Sequence, residues 1–382
     1  IDTTSSIFSI FGIQLKLATL QLILPLGISF YTFRSISYLL DVESEKIEAT
    51  KDWVVFFSYI SFFPSLLSGP IDRAGMLVPQ LEKNRTFNYS DASEGMAQIL
   101  WGLFKKLVIA DNCSFVTKTI FENYDQYSSS TLLLSSFFYI IQVYADFSGY
   151  SDMAIGFARL IGFRITQNFN YPFFAQNIAE HWQRWHISLT SWMTEYVYTP
   201  LNFKFRSLRN KGIIISIIIN FVLVGLWHGA NWTFVVFGLL NGCYFIPLIL
   251  SGALSKKSII AKDKLFPSFK EFINVAFTFS TVMLTAILFG SKDLTSAFGY
   301  YSHMCSVSLF TLPPELKSEI ILLLLIMFMF SFEWMSREAS YGLVYFRKKL
   351  GRAGRWCLYA GLIFVIGMYM QTNETAFLYF KF

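Results

Sequence analysis

From Ile213 to Leu226 the chain is almost unbroken Ile, Val, Leu and Phe; it then meets Trp227-His228-Gly229-Ala230-Asn231-Trp232 and becomes apolar again from Thr233 to Leu240. No other stretch limits the fold so strongly. Such a run belongs in a core or in lipid, and an imidazole at its end needs a partner, because a polar group stripped of water without one is costly. Gly229 and Ala230 remove bulk beside His228, so a ligand or a second backbone can approach the ring. The expectation is a helix ending at a buried site around His228, followed by a second helix.

The same texture recurs along the chain. Trp232 to Leu250, Phe272 to Phe289, Ile320 to Trp334 and Trp356 to Met370 meet or approach the roughly 20 apolar residues that a helix needs to cross ~30 Å of hydrocarbon. With 54% hydrophobic and only 15% charged residues, and a mean hydropathy of +0.47, the composition excludes an ordinary soluble protein. Unpaired backbone groups are not tolerated in lipid, and long continuous apolar runs do not fit the alternation of a barrel. The chain therefore reads as an all-α, polytopic transmembrane bundle, a single membrane domain over residues 1–382 with the lipid bilayer as its partner.

The net charge of +6 forms no basic stripe for nucleic acid. Its residues cluster at span ends instead: Lys204, Arg206, Arg209 and Lys211, then Lys256, Lys257, Lys262 and Lys264, then Arg347, Lys348, Lys349, Arg352 and Arg355. With all three clusters cytoplasmic, the spans between them pair up and the tail from Gln371 lies outside. Cys113, Cys243, Cys305 and Cys357 are far apart, have no metal-type spacing, and read mostly as small core residues.

Other stretches are less regular. Ile13 to Leu40 predicts a span kinked at Pro25 that turns polar near Arg34 and Asp41, and Asp52 to Leu67 a segment that dips into the membrane and stops at Pro64. Val78 to Glu94 reads as a surface loop, and Lys292 to Glu315 as a loop holding His303. Gly95 to Phe121 has a helical pattern, but Lys105, Lys106 and Asp111 must snorkel or face other helices. Leu132 to Val143 leads into Tyr144 to Asp152, whose Asp146, Tyr150 and Asp152 around Gly149 predict a broken helix lining a cavity. In Phe173 to Tyr198, a continuous helix would put Trp182, His186, Leu189 and Met193 on one face and turn His181 elsewhere, towards an interface.

There is no HExxH and no other zinc spacing, so no metal site is expected, and no GxSxG elbow is present. What remains is a histidine acting as general base in a membrane cavity. Imidazole titrates near ~6.5, so it can take a proton from a hydroxyl and return it, which suits acyl transfer from a thioester to an alcohol. A transporter or channel built on the broken helix and the histidines is the alternative of another class.

Several of these residues also carry a resemblance. Leu24-Pro25-Leu26-Gly27-Ile28-Ser29-Phe30-Tyr31-Thr32-Phe33, Phe63-Pro64 to Gly69-Pro70-Ile71, Tyr144 to Asp152, Trp182 to Ser188, Gly225 to Ala230 and the terminal Ala376 to Phe380 resemble the membrane-bound O-acyltransferase family, in its bacterial branch typified by the alginate O-acetyltransferase membrane subunit. The resemblance implies a helical bundle around a central tunnel in the bacterial inner membrane. It implies no permanently bound cofactor, with acetyl-CoA or another acyl thioester as donor from the cytoplasm and an extracytoplasmic acetyltransferase as partner. The product would be an O-acetylated exported or cell-surface polysaccharide; D-alanyl transfer to teichoic acid, or lipid O-acylation, is the variant on the same fold. His228 would be the principal histidine, as base or acyl relay, and His186 the second, assisting or orienting it. Asp146, Tyr150, Asp152, Trp185, Trp227 and Asn231 would line or support the route. Members of this branch begin with further hydrophobic spans, so the resemblance predicts helices before Ile1.

Overall fold

The computed structural model describes residues 27–254 and 260–371. The kink at Pro25, the Lys256-Lys257 pair and the Ala376 to Phe380 motif lie outside the described residues. Within them all regular structure is helical, as expected. In chain order the α-helices are α1 (Ile28–Glu43), α2 (Trp53–Ile60), α3 (Ala74–Glu82), α4 (Tyr89–Leu103), α5 (Asp111–Glu122), α6 (Ser129–Leu160), α7 (Ile178–Arg184), α8 (Ile187–Met193) and α9 (Thr199–Lys204). They continue with α10 (Asn210–His228), α11 (Trp232–Cys243), α12 (Ile246–Leu250), α13 (Phe269–Gly290), α14 (Leu294–Met304), α15 (Ile320–Met335), α16 (Val344–Lys349) and α17 (Arg352–Tyr369).

Four stretches among the described residues are long and apolar enough to span a bilayer: α6, α10, α11 with α12 (Trp232–Leu250) and α13. A fifth arises if α15 is joined to the short turns of Val307–Leu316, which meet it at 93°. The last expected span forms as α17, but Arg352 and Arg355 in its first turn leave it less apolar than those four. The protein is a multi-pass membrane protein.

Helix α6 is the axis of the bundle, buried along most of its 32 residues. It packs antiparallel on α4 through two glycine pairs. A Cβ on Gly102 would stand 2.5 Å from the Gly149 carbonyl oxygen, and one on Gly156 2.5 Å from that of Gly95. The broken helix predicted at Tyr144 to Asp152 does not form, and α6 runs through it without interruption. Gly149 serves close approach rather than a break, and the carboxylates on either side of it are met by lysines of the turn that follows α4.

Those lysines sit on a π-helical turn, Phe104–Ala110, between α4 and α5. Its wider winding faces Lys105 and Lys106 together towards α6. Lys105 Nζ lies 2.6 Å from Asp152 and donates to Ser148 at 2.9 Å; Lys106 Nζ lies 2.6 Å from Asp146 and 2.8 Å from Asp111. The lysines therefore face another helix and do not snorkel.

Helices α10 and α11 form a hairpin. Gly229, at φ +151°, ends α10, and Asn231 Oδ1 accepts from the Thr233 amide at 3.0 Å to start α11. The two run antiparallel in close contact, Gly225 against Phe234, Gly238 against Phe221 and Gly242 against Ile218. The chain thus returns to the side it left, as the charge clusters predict.

Three loop or polarity expectations are corrected. Val78 to Glu94 is mostly helix: α3 continues to Glu82, and the cap of α4 is Asn88, which accepts from the Asp91 amide at 3.1 Å. Part of the predicted loop around His303 is α14, because Asp293 caps it by accepting from the Ser296 amide at 2.7 Å. Arg34 does not mark a polar end of α1. It is fully buried and donates to the carbonyl oxygens of Tyr59, Ile60 and Pro70 and to Ser65, so it ties α1 to the segment from Trp53 to Pro70. At eight residues, α2 is too short to cross.

If the glycine pairs set the α4 to α6 distance, Gly156→Val should cost at least about 1–3 kcal/mol, since its Cβ meets backbone that cannot move aside. A lower midpoint for thermal loss of the monodisperse detergent peak is expected. Gly361→Ala, where a Cβ meets nothing within 4 Å, should leave the midpoint unchanged or slightly raised.

Candidate active site

Between α6, α7, α8, α10, α11 and α13 lies a cavity of about 50 Å³. At the ~10–15 Å³ that one water needs on this measure, it has room for about three to five waters or a small acyl group. His181, His186 and His228 all reach it, with Trp182, Trp185, Asn241 and Thr285, against apolar walls that include Ile140, Val143, Val224, Phe237 and Phe289. Three of the four histidines of the sequence therefore converge here.

His228 is the last residue of α10, where the sequence pattern put it, and is 7% exposed. Its ring lies against Trp227 at 4.6 Å and edge-on to Phe289 at 4.8 Å. Phe289 comes from α13, whose Val282, Thr285, Ala286 and Phe289 form one helical stripe along the cavity.

His186 reaches the cavity by a different route from the one predicted. Phe173 to Tyr198 is not a single helix: α7 stops at Arg184, and His186 at φ +43° turns the chain into α8. This conformation is uncommon for a residue with a Cβ and persists only where neighbours over-determine it. Here Asn168 does so. Its carbonyl accepts the Ile187 amide at 2.8 Å, and its side-chain Oδ1 takes His186 Nδ1 at 3.0 Å, the Ser188 hydroxyl at 2.9 Å and the Ser188 amide at 3.3 Å. The break also brings His181 in. Instead of pointing to an interface it is 2% exposed, and its Nδ1 donates to the Pro172 carbonyl at 3.1 Å.

Because a backbone N–H can only donate, the Asn168 atom facing Ser188 is the oxygen, and His186 Nδ1 must carry a hydrogen to bond to it. The other nitrogen, Nε2, is then a bare lone pair, buried and without a hydrogen-bond partner among the described residues. A neutral imidazole with one nitrogen tied and the other open is arranged as a proton acceptor. Among the described residues no group of three or more His, Cys, Asp or Glu could hold a metal ion.

The family model described as MBOAT, membrane-bound O-acyltransferase family, matches residues 50–289, a stretch that contains all three cavity histidines. The chain belongs to the membrane-bound O-acyltransferase family. It is 36% identical to the "Probable alginate O-acetylase" of Azotobacter vinelandii over 84% of this chain and 61% of that protein. Identity to the "Peptidoglycan O-acetyltransferase" of Helicobacter pylori is 35%, over 73% of this chain and 56% of that one. It is 30% to the "Teichoic acid D-alanyltransferase" of Bacillus subtilis, over 59% and 60%. The chain thus spans about three fifths of the length of these relatives.

In this member of the family the remaining predicted residues divide. Trp185 lines the cavity, and Trp227 stands between the histidines, 6.0 Å from His186 and 4.6 Å from His228. Asp146, Tyr150 and Asp152 do not line it. Asp146 is paired with Lys106, and Tyr150 turns to the backbone of Leu67 and Ser68. Asp152 borders a separate polar chamber of about 10 Å³ with Lys105, Tyr144 and Glu333, where it also accepts from Gln98 at 2.8 Å. Asn231 caps α11 and donates to the Lys292 carbonyl at 2.8 Å, so it fixes the hairpin turn and not a substrate. The two acids of α6 were legible in the sequence, but their lysine partners come from the turn between α4 and α5. Asn168 was missed; its only signal was an amide-rich run, Gln167-Asn168-Phe169-Asn170, set among aromatics.

Removing one partner of a buried ion pair is expected to cost about 3–5 kcal/mol. Lys105→Met should therefore deplete the folded protein in membranes, and Lys105→Met with Asp152→Leu should restore part of it. Quantitative blotting against total membrane protein reads both.

Proposed function

We propose that the protein is an O-acyltransferase of the bacterial inner membrane that takes a small acyl group, acetyl in the first reading, from a cytoplasmic thioester for O-acylation of an exported or cell-surface polysaccharide. The observation that carries this is the meeting of His186 and His228 on one small apolar cavity, with an open imidazole nitrogen on His186. An acceptor hydroxyl attacks the thioester carbonyl carbon and gives its proton to imidazole. The new C–O bond forms, the C–S bond breaks, and the thiolate takes the proton back, so the histidine ends neutral. In the division implied by the family, His228 is base or acyl relay and His186 assists. Apolar walls exclude water that would otherwise hydrolyse the thioester.

Acetyl-CoA or a carrier-bound acyl group is the donor, as substrate and not as resident cofactor, and an extracytoplasmic acetyltransferase completes delivery to the polymer. The cavity size favours a short acyl group over a fatty chain. D-alanyl transfer is the second reading, favoured by the similarity to the teichoic acid D-alanyltransferase. The transporter reading loses one of its two grounds, since the helix through Asp146 and Asp152 is continuous.

The test is ester-linked acetate and ester-linked alanine on surface polymer from cells carrying the full-length gene with its neighbours. His228→Ala and His186→Ala, at matched membrane levels, should each lower ester acetate by roughly 10²-fold or more. Unchanged acetate in His228→Ala would remove that residue from the chemistry, and loss of alanine with no acetate in wild type would favour the second reading.

A further inference from the structure

The bond between Asn168 and His186 belongs to a longer chain of contacts. Asn168 Nδ2 donates to Ser151 Oγ on α6 at 3.2 Å, and the Ser188 hydroxyl that donates to Asn168 Oδ1 itself accepts the Ile71 amide at 2.9 Å. Asn168 is fully buried and borders the polar chamber of Lys105, Asp152 and Glu333, while His186, on its other side, borders the acyl cavity. One side chain thus stands in the wall between the buried charges and the histidines. Its amide donor and its acceptor are both committed, so it cannot rotate without losing bonds at each end.

We propose that Asn168 is a positioning residue: it fixes His186 as the tautomer with hydrogen on Nδ1, so that Nε2 takes the proton of the acceptor hydroxyl. The inference rests on the acyl-transfer reading above and departs from the family's division in one respect: the proton goes to Nε2 of His186, which leaves His228 the role of acyl relay or polarising partner. An unrestrained imidazole divides between two tautomers, only one of which presents a lone pair at Nε2, and free rotation of the ring would dilute it further. The electron and proton balance is that of the transfer itself: the proton rests on Nε2 while the C–O bond forms and the C–S bond breaks, then passes to the thiolate. The other titratable groups on this cavity are His228 on α10 and His181 on α7. From α6, Asp152 is held by Lys105 and Gln98, and Tyr144 donates to Glu333 of α15 at 2.8 Å. Beyond Ile71, Asp72 accepts the Thr166 amide at 2.8 Å, and Arg34 is spent on backbone carbonyls. Among the described residues no carboxylate bonds to His186 directly; its bonded neighbour is the neutral amide.

The decisive variant is Asn168→Asp. It keeps the size of the side chain and the acceptor for His186 Nδ1 and Ser188, and Ser151 can turn its hydroxyl to donate. A carboxylate in place of the amide stabilises imidazolium, so the base becomes available only at higher pH. Inverted membrane vesicles carrying the full-length protein with its native partners, given labelled acetyl-CoA in clarified cell extract, report ester formation across the acidic to alkaline range. Asn168→Asp should move the acidic limb of the rate profile up by about one pH unit or more. Asn168→Ala should lower the maximal rate by roughly 10–100-fold with little change in the donor concentration for half-maximal rate. His186→Gln, run alongside, separates the two ideas. If His186→Gln is inactive but Asn168→Asp has the wild-type profile, the positioning role is wrong and the acyl-transfer reading stands. If His186→Gln keeps wild-type activity, the reading of His186 itself fails. Should Asn168→Ala not accumulate, the near-isosteric Asn168→Asp still decides.

Discussion

The whole arrangement depends on the cost of leaving a polar group unpartnered in an apolar bundle. Helix α6 carries Asp146 and Asp152 through the middle of the protein, and neither can stay ionised there alone. Lys105 and Lys106 answer them from a turn wound wide enough to face both towards α6. The glycine pairs let α4 and α6 come close enough for those short ion pairs to form. Charge and close packing therefore fix the same interface, and every other helix is placed relative to it.

The site grows from the opposite strategy. Where α7 gives way to α8, the chain accepts an unfavourable backbone conformation at His186, and the strain is offset by hydrogen bonds from a single asparagine. The break aims two imidazoles, His181 and His186, at the end of α10, where His228 waits beside a glycine turn. Apolar residues of α6, α11 and α13 then close the space. A small cavity with fixed nitrogens in a low-dielectric wall is the setting in which proton transfer and thioester attack need little reorganisation.

The two cavities divide the labour of the buried polar groups. The chamber of Lys105, Asp152, Tyr144 and Glu333 is about the size of one water and holds ion-paired side chains; the cavity of the three histidines is larger and mostly apolar. Asn168 and Trp185 stand near their boundary. In the proposed reaction this separation keeps structural ion pairs away from the thioester carbonyl, where an ionised carboxylate would favour protonated histidine and remove the base.

The sequence by itself determined the class of fold, the long apolar helices and the position of His228, because length and hydrophobicity of a run dictate helix in lipid, and a histidine closing such a run is visible without its neighbours. Only the tertiary structure decided what depends on contacts far apart in the chain. It turned the acids around Gly149 from supposed cavity liners into partners of Lys105 and Lys106, because charge pairing between helices leaves no trace in the periodicity of either one. It broke Phe173 to Tyr198 at His186, since the bonds that stabilise that turn come from Asn168, outside the segment. For the same reason His181 entered the site and Asn168 became its anchor: the hydrogen bonds that hold them cross between elements that the linear pattern treats as separate.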